Sequence, residues 1–522
     1  MSPDFIQNHA IPSKTRPAGY AALAHRHNLR APLRRLAVVS DGAVKNIVRQ
    51  DGDVSIHHVR EWPGDRDVEH LDFAIRKEPL DLLLTKKALE AIDQQEIEAF
   101  VAAKPQSIPG RRMWFMYEWL TGRELRLSSL ESGNYVDAID PSSYYTLTAG
   151  APSSRQRIRN NLPGTSVFCA IARRVDPIEI ASSLAAKAHD LTVSTKPDVL
   201  RRVAAHLLLS DSKASFEIER ETPPRNRLER WGQVVGAAGR SPLSRDLLNN
   251  LQDQLFEPDN KLVHRGLRTE GVFLGTRDRQ NDPVPEFIGA RPADIPALLQ
   301  GMIDYDTRLR QDQAFNPIAH AAGLSFGFVY AHPFEDGNGR LHRYLLHHVF
   351  AERGFSPRGV IFPVSAVMLE RLDDYAAVLR AQTGPLLPFI PWKPTSNGNV
   401  VVDADTSDLY RYPDVTAEAT FLTECVQHTI EKTYPEEIDW LSAFDQAQSR
   451  ASRVVDMADS KLSQVIGYIA RNGGALSKKR RKKEFATLTD QQISEIETIV
   501  RDEFDDVTGF KVGAEPSETP SP

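Results

Sequence analysis

The sequence predicts a mainly α-helical protein with an α/β region at its N-terminus and a helical region at its C-terminus. Three observations carry that reading. Helix-like spacing of apolar residues recurs over 207–219, from Ile295 onward, and over 316–330, 340–351, 431–449 and 454–470. Strand-like character is short and early, around Val54 to Val59. Glycine and proline cluster between the helical stretches, most densely over Pro385 to Pro394 and Thr395-Ser396-Asn397-Gly398-Asn399.

Taken in order, residues 1–110 read as a basic α/β region. Its first fifty residues hold Lys14, Arg16, Arg26, Arg30, Arg34, Arg35, Lys45 and Arg49 against Asp4 and Asp41. A solvated face is the favoured reading, and nucleic-acid contact the alternative. A helix is expected around Lys86 to Phe100. Residues 111–175 form an accessory region that opens with the aromatic helix Arg111 to Leu120, whose rings belong in a core. Arg155, Arg157 and Arg159 alternate, which places three cations on one side of an extended strand, with the chain's own carboxylates as their expected partners. Residues 176–390 form the central helical core, 391–402 a linker, 403–505 a C-terminal helical domain and 506–522 a disordered tail. Asn472-Gly473-Gly474 followed by Lys478-Lys479-Arg480-Arg481-Lys482-Lys483 resembles the turn and basic helix with which a winged-helix DNA reader begins. Six successive cations face solvent or an anion.

Composition narrows the class. The 522 residues are 41% hydrophobic with a formal net charge of -6, which supports sizeable cores and does not advertise nucleic acid. Cys169 and Cys425 stand far apart, so no disulfide framework is expected, and no Cys/His group has zinc spacing. No apolar leader and no run approaching a membrane span is apparent, so a cytoplasmic protein without membrane contact is expected.

The chemistry concentrates in His332-Pro333-Phe334-Glu335-Asp336-Gly337-Asn338-Gly339-Arg340-Leu341-His342-Arg343. Gly337-Asn338-Gly339 is a turn where backbone amides converge on an anion. The helix that follows points its free N–H groups back at the loop. Arg340 and Arg343 share one face of its first turn and can fork onto phosphate oxygens. Without an anion, two arginines there oppose the helix dipole. Asp336 offers a hard oxygen of the kind Mg²⁺ takes beside phosphates. His332 ionises nearest neutrality and is the natural general base. His342, His347 and His348 fit no pattern and read as structural or surface residues. His320 reads as core or as a support behind a ligand.

The stretch resembles the Fic family motif, His-x-Phe-x-Asp/Glu-Gly-Asn-Gly-Arg-x-x-Arg, with every defined position filled. The resemblance implies a Fic-type helical core with a small β-hairpin flap, and transfer of AMP from ATP to a Tyr, Thr or Ser hydroxyl of a protein, itself included. It implies His332 as base, Phe334 as anchor, and Asp336 as Mg²⁺ ligand. Gly337, Asn338, Gly339, Arg340 and Arg343 would bind the phosphates. Ser215 and Glu219 fit the first and fifth positions of the family's inhibitory pattern Ser/Thr-x-x-x-Glu-Gly/Asn, on a helix over about 205–219. Arg220 departs from the sixth position, and Glu217 is the competing acid. Leu267, Arg268, Thr269, Glu270, Gly271, Val272 and Phe273 resemble the flap, whose edge could take a target as an added strand. Pro283 and Pro285 are expected in the loop beyond it. A homodimer is an ordinary expectation. The alternatives are a Fic-fold regulator whose basic segments contact DNA, or a transferase using another phosphate-containing donor.

Overall fold

The computed structural model describes residues 4–42, 49–51, 53–256, 264–357, 359–507 and 510. The expected tail therefore lies almost wholly outside the described residues, as does Lys45. The chain divides into two compact units that are discontinuous in sequence. One comprises residues 1–181, 212–355 and 368–424; the other comprises 182–211, 356–367 and 425–522.

The first unit opens with a small mixed sheet. Leu36–Ser40 is buried throughout, pairing antiparallel with Thr15–Pro17 and parallel with Val54–His57, which in turn pairs with Arg49–Asp51. Ala18, Ala37, Val39 and Phe73 close its core. The expected helix at 86–100 is two helices, Leu82–Ala91 and Gln94–Ala103. Asp93 divides them by accepting the Gln95 N–H as an N-cap, a role that competes with helix continuation. Ile108–Thr121 runs from the Ser107 cap to Gly122, whose φ of 69° closes the helix, and it buries Met113, Trp114, Phe115 and Tyr117 as expected. The arginine strand is corrected. Only Arg159 lies in a strand, Ile158–Asn160, while Arg155 and Arg157 occupy the preceding turn, with Arg157 at φ 53°. Their charges are met internally: Arg155 by Glu118 at 3.0 Å and Arg159 by Asp137 at 2.7 Å.

The site is carried by five helices and a hairpin: α1 (Pro197–Ile218), α2 (Arg245–Leu255), β1 (Phe273–Arg277), β2 (Pro283–Ile288), α3 (Ile295–Gln311), α4 (Pro317–Ala331) and α5 (Asn338–Glu352). α4 is apolar almost all round, so it is buried along nearly its whole length. Asn316 caps it by accepting N–H bonds from Ile318 and Ala319. Residues 391–402, expected to be a linker, form the hairpin Trp392–Pro394 with Val400–Val402. Three valines supply the return strand, and Gly398 at φ 74° makes the turn.

The second unit is held by helices such as Asp459–Arg471 and Asp490–Phe504. Leu462, Val465, Ile466 and Ile469 of the first share a core with Ile493, Ile496, Val500 and Phe504 of the second. No strand occurs among its described residues, so the winged-helix-like alternative has no wing there. The basic run forms the short helix α6 (Lys478–Glu484). Cys169 and Cys425 are buried, and no described helix is long and apolar enough to cross a membrane.

Candidate active site

α4 ends where the chemistry begins. His332 closes it in the left-handed conformation, φ 52° and ψ 61°, which a β-carbon makes costly, by roughly 1–2 kcal/mol. The tight exit is held by the His332 N–H donating to Phe328. His332 Nδ1 lies 3.3 Å from the Val329 carbonyl, an acceptor only, so Nδ1 carries the hydrogen and Nε2 presents a lone pair. Burial, then the charge of Arg268, depress the imidazole pKa to about 4, against a smaller opposing pull from Glu219 and Asp336. The ring is neutral at pH 7 and can accept a proton.

The loop between α4 and α5 is braced from within. Phe334 is fully buried beside Phe328. Asn338 accepts the Phe334 N–H at 3.0 Å and donates to the Phe334 carbonyl at 2.8 Å. Its side chain is thus spent on holding the turn. Gly337 at φ 93° starts α5, and the N–H groups of Asn338, Gly339 and Arg340 stand in its unpaired first turn. Asp336 remains exposed; one oxygen accepts from Gly337 at 2.6 Å and Arg340 at 3.0 Å. Arg340 and Arg343 are 3% and 1% exposed, so two guanidiniums are buried at a helix N-terminus, where cations are disfavoured.

What offsets those charges comes from the end of α1. Arg343 donates from Nε to Ser215 Oγ at 2.9 Å and from Nη2 to the Ser215 carbonyl at 2.7 Å and Glu219 at 2.8 Å. Burial raises the Glu219 pKa, but Arg343 and then Arg340 outweigh it and hold the carboxyl below its ordinary value. A side chain at Gly339 would overlap the Glu219 carboxylate. Glu217 turns to Lys213 instead, at 3.5 Å. Arg220 sits just past the helix at φ 58°. The sequence reading missed Glu221, which pairs with both Arg340 and Arg227. Arg340 is also flanked by Phe216 and Phe256, with its guanidinium carbon 5.3 and 5.4 Å from their ring centroids. Glu221 lies beyond the helix end, where no periodicity points to it.

The hairpin lies later than the expected flap. β1 and β2 pair antiparallel with a bulge at Leu274/Gly275, so of the seven expected residues only Phe273 is in a strand. Pro283 and Pro285, expected in a loop, belong to β2. A two-stranded sheet leaves each strand one unpaired edge, and prolines two apart can direct their missing donors there. Leu267 bridges to Phe334, and Gly271 and Val272 lead into β1. Arg268 is buried and donates to the carbonyls of His332 and Glu270, both at 2.6 Å, and to Ala290. It is a strut beneath the loop. Thr269 and Glu270 are exposed and, with Phe273, Arg277, Asn397 and Asn399, line a groove of about 440 Å³. Asn399 donates to the Gly271 carbonyl at 2.8 Å, so the second hairpin steadies the flap's approach. Buried Gln252 of α2 joins this segment to the loop: it accepts from Gly266 N–H at 2.8 Å and reaches the Asp336 carbonyl at 3.4 Å. Only the tertiary arrangement identifies it.

The loop thus brings together an imidazole with an unengaged nitrogen, a glycine turn opening a helix and two buried arginines. Residues 242–350 match the model of the Fic/DOC family. The chain is 30% identical over 176 residues to protein adenylyltransferase fic-1 of Caenorhabditis briggsae, covering 31% of this chain and 30% of that protein. It is 29% identical over 187 residues to fic-1 of Caenorhabditis elegans, covering 35% of each. The chain thus spans about a third of the length of these curated relatives. A Fic family protein from Desulfovibrio desulfuricans G20, known as a crystal structure, aligns with a TM-score of 0.37 and 16% identity, over 60% of this chain and 88% of that one.

Proposed function

We propose that this protein is an adenylyltransferase that moves AMP from ATP to a hydroxyl side chain of a protein, its own chain included. The observation that carries this reading is one loop that presents a neutral imidazole nitrogen beside a helix N-terminus bearing two buried guanidiniums. The target oxygen attacks the α-phosphorus as its proton passes to His332 Nε2. The bond to the β-phosphate oxygen breaks and pyrophosphate leaves. The α5 amides, with Arg340 and Arg343, hold the phosphates and offset the charge that develops on them. Asn338 acts through the turn it braces. Asp336 suits Mg²⁺ because it is exposed and only one of its oxygens is engaged by Gly337 and Arg340; when bound, the ion would neutralise phosphate charge. A target segment lying along the flap would bring its hydroxyl to His332.

Ser215 and Glu219 then act as a brake. They occupy the guanidinium that the γ-phosphate would use, and a carboxylate there repels an incoming triphosphate. A second reading, DNA contact, rests on the exposed Lys478, Lys479, Lys482 and Lys483 of α6.

Label transfer from α-³²P-ATP and γ-³²P-ATP, with wild type, Glu219→Gly and Glu219→Gly/His332→Ala, tests the proposal. The α-label is expected on protein, strongest in the single variant and lost in the double one while nucleotide binding persists. The γ-label alone would mean phosphate transfer, and silence with both labels would favour another donor or a regulatory role.

A further inference from the structure

Away from the loop, α3, α4 and α5 bring four titratable side chains into one buried cluster: Asp306, His320, His348 and Glu352. His348 and Glu352 are four residues apart and share a face of α5. Asp306, His320 and His348 are 1%, 0% and 0% exposed, and Glu352 is 11% exposed.

Their hydrogen bonds are half made in a consistent way. Asp306 Oδ1 lies 3.0 Å from His320 Nε2, while Oδ2 is buried without a hydrogen-bond partner. Glu352 Oε1 accepts from Arg310 at 2.8 Å, while Oε2 has no hydrogen bond and stands 3.7 Å from His348 Nε2. Neither ring nitrogen of His348 is hydrogen-bonded. Buried polar atoms are almost always satisfied, so so many bare atoms in one place call for a ligand. A ligand atom from each of Asp306, His348 and Glu352 lies within 4.8 Å of the other two. Arg353, the other cation nearby, is committed to the carbonyls of Asp312 and Phe315.

We propose that Asp306, His348 and Glu352 bind a structural divalent cation, with Zn²⁺ the best match. One imidazole nitrogen and two carboxylate oxygens make a set that Zn²⁺ accepts, with water as a fourth ligand. Ca²⁺ takes oxygen donors in greater number, and Mg²⁺ keeps most of its water. His320 and Arg310 hold the outer carboxylate oxygens, the supporting role that such sites require. Ligand atoms around tetrahedral zinc stand roughly 3.4 Å apart, so the side chains close by about 1 Å. Glu352 and the 29%-exposed Arg310 mark the way in from solvent. The ion would pin α5, whose other end carries Arg340 and Arg343, to α3. This inference stands whether or not the proposed transfer is right.

The test uses the full chain stripped with a chelator and dialysed. Zn²⁺ uptake is read by elemental analysis and by melting temperature, and Co²⁺ uptake by visible absorption. Wild type is expected to take one equivalent of Zn²⁺, melt several degrees higher with it, and give Co²⁺ d–d bands that Zn²⁺ abolishes. Asp306→Asn/Glu352→Gln should lose that equivalent, and Asp336→Ala, in the phosphate loop, should keep it. No uptake by wild type, unchanged uptake by the double variant, or loss in Asp336→Ala would each overturn the proposal. Should the double variant fail to fold, the wild-type Co²⁺ spectrum decides: tetrahedral d–d bands support the site and their absence refutes it.

Discussion

Arg220 holds a backbone conformation that a glycine would take without strain. The family's inhibitory pattern places Gly or Asn there, and the turn at this position closes α1, with the Glu221 N–H donating to the Phe216 carbonyl at 3.1 Å. Arg220→Gly should therefore stabilise the protein by roughly 1 kcal/mol in thermal denaturation and lower basal self-modification. Unchanged stability would mean that the strain is relieved elsewhere. Glu219→Gly should raise self-modification at least tenfold by label transfer, since it removes the carboxylate that competes for Arg343; an equal rate would dismiss the brake. His332 gives a pH test. With its folded pKa near 4, the base stays deprotonated as pH falls through 6.5, where an ordinary histidine would already be protonated. Glu219 raises that pKa, so its loss moves it lower still. The acid limb of kcat/KM for Glu219→Gly should thus fall well below pH 6.5, and a limb at 6.5 would remove the assignment. At this scale the sequence was highly legible: the motif residues converge as their order implies because they lie on one loop and one helical turn. Glu221 and Gln252 were not legible, because each acts across a fold-back that no local spacing records.

Among the elements, the flap depends on its bulge. Gly275 has φ 152°, and a β-carbon there would collide with the Val284 carbonyl. Gly275→Val should disrupt β1–β2 pairing and raise KM for a protein target several-fold while leaving ATP affinity unchanged by calorimetry. Weakened ATP binding would place the flap's role at the nucleotide instead. The hairpin's position was misjudged because prolines 283 and 285 read as loop punctuation. In a two-stranded sheet, prolines on the unpaired edge cost no ladder bond. Residues 391–402 were misread for a related reason: Thr395-Ser396-Asn397-Gly398 signals a turn equally well in a linker and in a hairpin, and the pairing of the flanking segments decides between them.

Across the whole molecule, a net charge of -6 opposes nucleic acid, so any DNA affinity must come from a concentrated patch such as α6. Arg480 lies 3.5 Å from the Tyr468 ring centroid, and Arg481 pairs with Asp490, which leaves the four lysines as the available charges. Replacing Lys478, Lys479, Lys482 and Lys483 with Gln should flatten the salt dependence of duplex binding by up to about 3.6 in log–log slope. Absence of wild-type binding at low salt would end that reading. The sequence by itself determined the helical character, the buried aromatic helix around 111–120 and the contents of the loop at 332–343, because helical periodicity, capping and a contiguous motif are local. Tertiary structure alone decided that Glu221 meets Arg340, that Arg268 is a buried strut, and that Asp306, His348 and Glu352 converge on one buried point. Those depend on which helix faces which, and packing settles that only when distant segments bury their apolar faces together.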